Sequence, residues 1–185
     1  TLGLSHASAL GDRLVVSINS ATFTQRQVES YILVRESLRD NNDGKVPRVT
    51  AQNWEVALKF FAEEMSIHQE ALRLGSLQVP SELLRKSVGK VRDRLNGSDP
   101  LVSLSRRLGI DNTTLNRTVH NILRVETFRR SRNRQEAIAR NKDEADSQPQ
   151  WLVELYDRTI IRFYDGAWDY KQIQPTQGLQ SGDAL

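Results

Sequence analysis

The run from Arg13 to Tyr31, RLVVSINSATFTQRQVESY, constrains the fold more than any other part of the chain. Leu14-Val15-Val16-Ser17-Ile18 has the β-branched content of a short strand, and Asn19-Ser20-Ala21 supplies a turn after it. Thr22-Phe23 gives a brief return strand, and a helix enters at Thr24. The Thr24 hydroxyl can accept a backbone N–H, and Gln27 three residues later completes a capping box. So short a strand pair is marginal in water. Partner strands are therefore expected elsewhere in the chain.

At 185 residues the chain is long enough for one domain with a substantial core. It has no run of about 18 apolar residues, the length a membrane-spanning helix requires. A formal charge of +3 is too small to demand a polyanionic partner by itself. Cysteine is absent, which excludes disulfides, zinc–thiolate sites and cysteine nucleophiles. Near the start, Ala7-Ser8-Ala9 has the small-x-small form of a signal-peptidase site, with Leu2-Gly3-Leu4 as the end of an apolar stretch. Residues 1–10 thus read either as a signal-peptide remnant or as a flexible leader.

Helical patterning dominates the middle of the chain. A first helix is expected from Thr24 to Arg39, with Val28, Tyr31, Ile32, Arg35 and Leu38 along one side. Asp40 to Gly44 breaks it, and Pro47 keeps the next residues extended. Thr50 is expected to cap a long helix from Ala51 to Leu74 with two stripes. One is Trp54, Leu58, Phe61, Met65, His68 and Leu72; the other is Ala57, Phe60, Glu64, Ile67, Ala71 and Leu74. Burial on two sides makes that helix central. Gly75 ends it. Ser81 then caps a helix to Leu95 with a Leu84, Val88, Val91, Leu95 stripe. A short helix from Leu101 to Leu108 follows Asp99-Pro100. Asp111 or Asn112 caps a last long helix reaching Ala139.

The composition changes at Asn141, where a polar connector begins. Two β-rich runs, Leu152 to Tyr164 and Ala167 to Ile173, flank Asp165-Gly166, a strong hairpin signal. Pairing this hairpin with the opening strand gives one small antiparallel sheet and a single domain over residues 11–175. The tail, residues 176–185, has no apolar pattern and is expected to be disordered.

This order of elements resembles the N-terminal module of the SurA-like periplasmic chaperones. The likeness lies in the opening strand, turn and capped helix, the central helix ending in LRLG, the following VPSELLRKSVGKV, and RRLGIDNTTLNRTVHNIL. Ser20 stands where family members usually carry glycine. The resemblance implies a mainly α fold with a small antiparallel β-sheet, a SurA-N-like helical chaperone module closed by N- and C-terminal strands. It also implies ATP-independent binding of unfolded or extended polypeptides in the bacterial periplasm, among them outer-membrane proteins. Too few residues follow the long helix for a parvulin domain, and its His-Ile-Leu and Gly-Gly-Asp-Leu-Gly stretches are missing. Isomerase activity is not expected.

A rival reading makes Leu104 to Leu123 a helix-turn-helix, with Thr113, Thr114, Asn116 and Arg117 on the recognition helix. Arg124, Arg129, Arg130, Arg132, Arg134 and Arg140 would then contact phosphates. Glu126, Glu136, Asp143 and Glu144 dilute that run, so a solvated helix face is favoured and no nucleic-acid partner is expected. His6, His68 and His120 lack metal spacing, and His68 reads as a satisfied core or boundary histidine. Glu63-Glu64 are adjacent and should point apart on a helix. No nucleophile elbow, Walker loop or dinucleotide fingerprint is present, so neither enzymatic activity, cofactor nor metal is expected.

Six aromatic residues and one methionine carry the client-binding expectation: Tyr31, Trp54, Phe61, Met65, Tyr156, Phe163 and Trp168 would supply apolar contacts to extended segments. A scaffold subunit with one fixed partner is the remaining alternative. Because distant segments close the sheet, two chains could also form a homodimer by exchanging terminal strands.

Overall fold

The computed structural model describes residues 12–39, 49–75, 78–139, 149–164 and 166–167. Expectations for the leader, the Asp40–Gly44 break, the 141–148 connector and the tail lie outside them. The elements run β1 (Leu14–Ile18), β2 (Ala21–Thr24), α1 (Gln25–Leu38), α2 (Trp54–Arg73), α3 (Ser81–Leu95), α4 (Asp99–Arg107), α5 (Asn112–Ala139), α6 (Gln150–Arg158) and β3 (Ile161–Phe163). The fold is mainly helical with a small three-stranded antiparallel sheet, as the sequence suggests.

The opening motif folds as its residues dictate. Asn19 takes φ +54°, the left-handed conformation that asparagine tolerates better than other side-chain-bearing residues. Its turn pairs Ile18 with Ala21. Thr24 caps α1: its hydroxyl accepts the Gln27 N–H while the Gln27 side chain accepts the Thr24 N–H, completing the box. Asp12 adds to this entry by accepting from the Thr24 hydroxyl and the Arg26 N–H. At the other end of α1, cations of α3 reach its last carbonyls. Lys90 Nζ donates to Leu38 O at 2.7 Å, and Arg94 donates to Ser37 O at 2.8 Å and to Arg39 O. These groups satisfy orphan acceptors where the helix dipole is negative.

Helix starts differ from expectation in two places. Ser81 is the first residue of α3 rather than its cap; the N-cap position falls on Pro80, which has no side-chain donor or acceptor to offer. Thr50 does not cap α2. Its N–H donates to the Asn53 side chain, and Asn53, the N-cap residue, makes no side-chain capping bond to α2. Downstream, Asp111 accepts the Thr114 N–H at 2.7 Å and so caps α5 as expected.

The C-terminal region corrects the sequence reading. Leu152 to Arg158 is helical rather than extended, and within the Leu152–Tyr164 run only Ile161–Phe163 forms a strand. The reason is burial. Trp151, Leu152 and Leu155, with Tyr156 beside them, form a helical stripe that packs on Ile67, Ala71, Val125 and Phe128. Phe128 and Trp151 meet edge-to-face with ring centroids 5.9 Å apart. Tertiary packing of this stripe outweighs the β preference of its residues. The expected second strand lies beyond the described residues except for Ala167, whose N–H closes a turn on Tyr164 O.

Sheet order is β2-β1-β3, with β3 antiparallel to β1 through Val16↔Phe163, Ser17↔Arg162 and Ile18↔Ile161. A bulge between Leu14 and Val16 bends β1 where Leu14 meets Thr24. The main core lies between this sheet and helices α1, α2, α3 and α5. It is built on Val16, Ile18, Val28, Trp54, Leu58, Phe61, Val91, Val119 and Ile122. Phe61 sits at its centre, edge-on to Phe23 at 5.1 Å and to Tyr31 at 5.3 Å. Fully burying such a side chain contributes about 1.5–3 kcal/mol.

Candidate functional site

Most of the expected client contacts are structural. Tyr31, Trp54, Phe61 and Met65 are all buried, with at most 5% of any one exposed, so they cannot meet a client while the domain is folded. Each has an internal role. Trp54 donates its indole N–H to Ala167 O at 2.5 Å, and the Tyr31 hydroxyl donates to Glu64 at 2.8 Å. Tyr156 and Phe163 are half-buried, packing against the second and main cores respectively. Trp168 lies outside the described residues.

Behind Tyr31 lies a buried ionic lattice across α1, α2 and α5. Glu64 is fully buried. Its Oε1 accepts from Arg129 Nη2 at 2.8 Å, and Arg35 Nε approaches its Oε2 at 3.4 Å. Arg35 also donates to Glu126 at 2.5 Å, and Arg129 to Glu63 at 2.9 Å. Glu63 and Glu64 therefore converge on one guanidinium nitrogen, against the expectation that these neighbours diverge. Burial, reinforced by the Glu64 carboxylate, holds the Tyr31 hydroxyl well above its ordinary titration range. The lattice locks three helices in register. Its partners are all side chains of α1, α2 and α5, so it reads as architecture.

Farther along α2, His68 faces α5. Burial first, then the positive charge of Arg124 and the neighbouring His120, lower its pKa to about 4. His120 is lowered by burial and by Arg124. The Nδ1 of His68 is buried without a hydrogen-bond partner, so this histidine is not satisfied as expected. Among the described residues no group of histidines and carboxylates has the arrangement of a metal site.

The last turn of α2 meets the β1–β2 turn and, through it, the residue before β3. Asn19 N donates to Ile160 O at 2.7 Å, and Ile160 N donates to Asn19 Oδ1 at 3.0 Å. Asn19 Nδ2 in turn donates to Gln69 Oε1 at 2.6 Å, and Gln69 Nε2 to Ile18 O at 3.1 Å. One residue on, the nearly buried Glu70 accepts two bonds from Arg73 at 2.7 and 2.8 Å and one from Arg158 at 2.5 Å. Arg73's hydrogen bonds, with the charges of Arg158 and Arg132, depress the Glu70 pKa. Around this node Leu72, Leu74 and Ile160 are exposed.

The α4–α5 region carries the residues of the rival DNA reading. Gly109, at φ +68°, makes the turn. Thr113, Asn116 and Arg117 are exposed and Thr114 is half-buried. Asp111, however, sets a carboxylate on the N-terminus of α5, where a phosphate would need unopposed donors. Beside it an open cleft of about 410 Å³ is lined by Arg92, Leu95, Asn96, Ser105, Asp111 and Leu115, among others. Its mixed charge selects no ligand class.

No helix among the described residues is long and apolar enough to cross a membrane. No protein-family model, curated protein or solved structure matches the chain.

Proposed function

We propose that this chain is an ATP-independent holding chaperone of the bacterial periplasm, binding unfolded or extended polypeptides, outer-membrane proteins among them, without isomerase activity. One observation carries the reading: β3, from the far end of the chain, completes the sheet begun by β1, next to a capping-box helix. That is the arrangement implied by the resemblance to the SurA-like module, in which a C-terminal segment completes an N-terminal strand and helical unit. Apolar side chains left at the surface, including Leu72, Leu74, Leu83 and Ile160, give such a protein weak, sequence-tolerant contacts. Release without nucleotide then follows from many shallow contacts, each quickly broken. The buried aromatics act behind that surface by keeping it rigid.

The discriminating experiment follows the anisotropy of a labelled outer-membrane barrel protein, unfolded in one arm and folded in the other. A labelled DNA duplex at varied salt forms a third arm. Binding of the unfolded chain alone is expected. Salt-sensitive binding of the duplex alone would favour the helix-turn-helix reading, and binding confined to one folded protein would favour a scaffold.

A further inference from the structure

The exposed apolar residues are not evenly scattered. Leu72 is 53% exposed, Leu74 45% and Ile160 56%. Leu72 and Ile160 share one locality, because Asn19 ties Ile160 to Gln69, one helical turn before Leu72. Leu74, the C-cap residue, lies one turn after Glu70 at the same helix end. Between them stand two arginines. Arg73 and Arg158 have side chains 60% and 50% exposed, and both hold the same carboxylate, Glu70, which is 7% exposed. Arg132 adds its charge to that carboxylate too. One carboxylate thus holds two guanidiniums, and that triad carries one net positive charge.

We propose that Leu72, Arg73, Leu74, Arg158 and Ile160 form the docking surface for extended polypeptide segments in which a carboxylate stands beside apolar side chains. This rests on the holding-chaperone reading and names the surface and the client chemistry for it. Charge complementarity selects the occupant. A guanidinium presents a planar fork of donors that matches a carboxylate, and Glu70 occupies only part of each fork. Fixing both guanidiniums on a buried anchor pre-organises them, so less side-chain entropy is lost on binding. A client's Leu, Ile or Phe covers Leu72 and Ile160 while its Asp or Glu meets the arginines. A duplex polyanion fits less well, since it would leave those apolar side chains uncovered. Exposed ion pairs are individually weak and screened by salt, which keeps the contact reversible.

The test uses the full chain and two fluorescein-labelled peptides, one of repeated serine, leucine and glutamate, the other with glutamine for glutamate. The acidic peptide is expected to bind roughly tenfold more tightly, a preference that shrinks with added salt. A Leu72→Ser/Ile160→Ser variant should bind both peptides roughly tenfold less well. Arg73→Gln should remove the acidic preference, with Arg158 still on Glu70. Val56→Ser is the control, since Val56 is 70% exposed on the same helix and roughly 24 Å along its axis from Leu72. Thermal melting checks that each variant is folded. Equal binding of the two peptides, no binding of either, or wild-type affinity in the folded variants would overturn the proposal. Aggregation suppression is measured in parallel on the same proteins. Suppression unchanged in Leu72→Ser/Ile160→Ser would remove this surface and leave the chaperone reading intact. Selective peptide binding without suppression would keep the surface and remove the chaperone reading.

Discussion

Asn19 and Ile160 exchange two hydrogen bonds across 141 residues of chain, one through the Asn19 backbone N–H and one through its side-chain oxygen. The same side chain reaches Gln69 on α2. A single turn residue therefore closes the sheet and anchors it to the central helix.

Substitutions at Asn19 separate its two duties. Asn19→Gly keeps the left-handed backbone but loses the side-chain bonds, and should cost about 1 kcal/mol. Asn19→Ala adds conformational strain at φ +54° and should cost about 2–3 kcal/mol in all. Urea unfolding of the two variants measures both; equal losses would mean that backbone conformation is irrelevant there.

The Glu64 lattice is the most sensitive point of the core. Glu64→Leu removes the carboxylate shared by Arg35, Arg129 and Tyr31, leaving buried cations with fewer partners. A loss of about 3–5 kcal/mol is expected. Tyr31→Phe, which removes only a hydroxyl, should lose about 1 kcal/mol. Chemical denaturation reads both, and a Glu64→Leu variant as stable as wild type would show the lattice to be dispensable.

Much of this was legible in the sequence. The capping box, the turn, the helices up to Ala139 and the return of a C-terminal strand all follow from local residue patterns. The lattice had a signal too: Arg35 and Glu64 stand inside otherwise apolar stripes, and opposite charges in facing stripes imply a buried pair. What failed is α6. Trp151, Leu152, Leu155 and Tyr156 fit a helix by spacing and a strand by residue type, and the choice falls to partners on α2 and α5 that no local window contains. Four of the seven expected client residues, Tyr31, Trp54, Phe61 and Met65, are buried for a related reason. An aromatic on an amphipathic stripe serves a core as readily as a groove, and Tyr31, Trp54 and Phe61 meet one another's elements inside.

Acid should weaken the fold through His68. Its folded pKa of about 4 lies below the ordinary value of 6.5, so the unfolded chain binds the extra proton. Stability is fully present above about pH 6.5 and falls toward pH 4, with a slope of at most about 1.4 kcal/mol per pH unit. Glu29, raised chiefly by burial, acts in the opposite sense. Comparing wild type with His68→Phe isolates the histidine: the difference between their stabilities should change across this range. A constant difference would exclude His68 as the source.

Gly166 links the end of the described chain to its beginning. Its φ is +70°, and a Cβ there would collide with the Arg13 guanidinium. Gly166→Ala should lower stability by about 1–2 kcal/mol from backbone strain, with a further steric part relieved when Arg13 is also replaced by alanine. Additive losses in the double variant would argue against that contact.

The holding function itself is tested most directly by light scattering from an outer-membrane barrel protein diluted out of urea. The full chain is added at near-stoichiometric ratio without nucleotide, beside an inert protein of the same size. Suppressed scattering with the chain, and none with the control, is the expected result. Scattering that rises equally in both would contradict a holding chaperone.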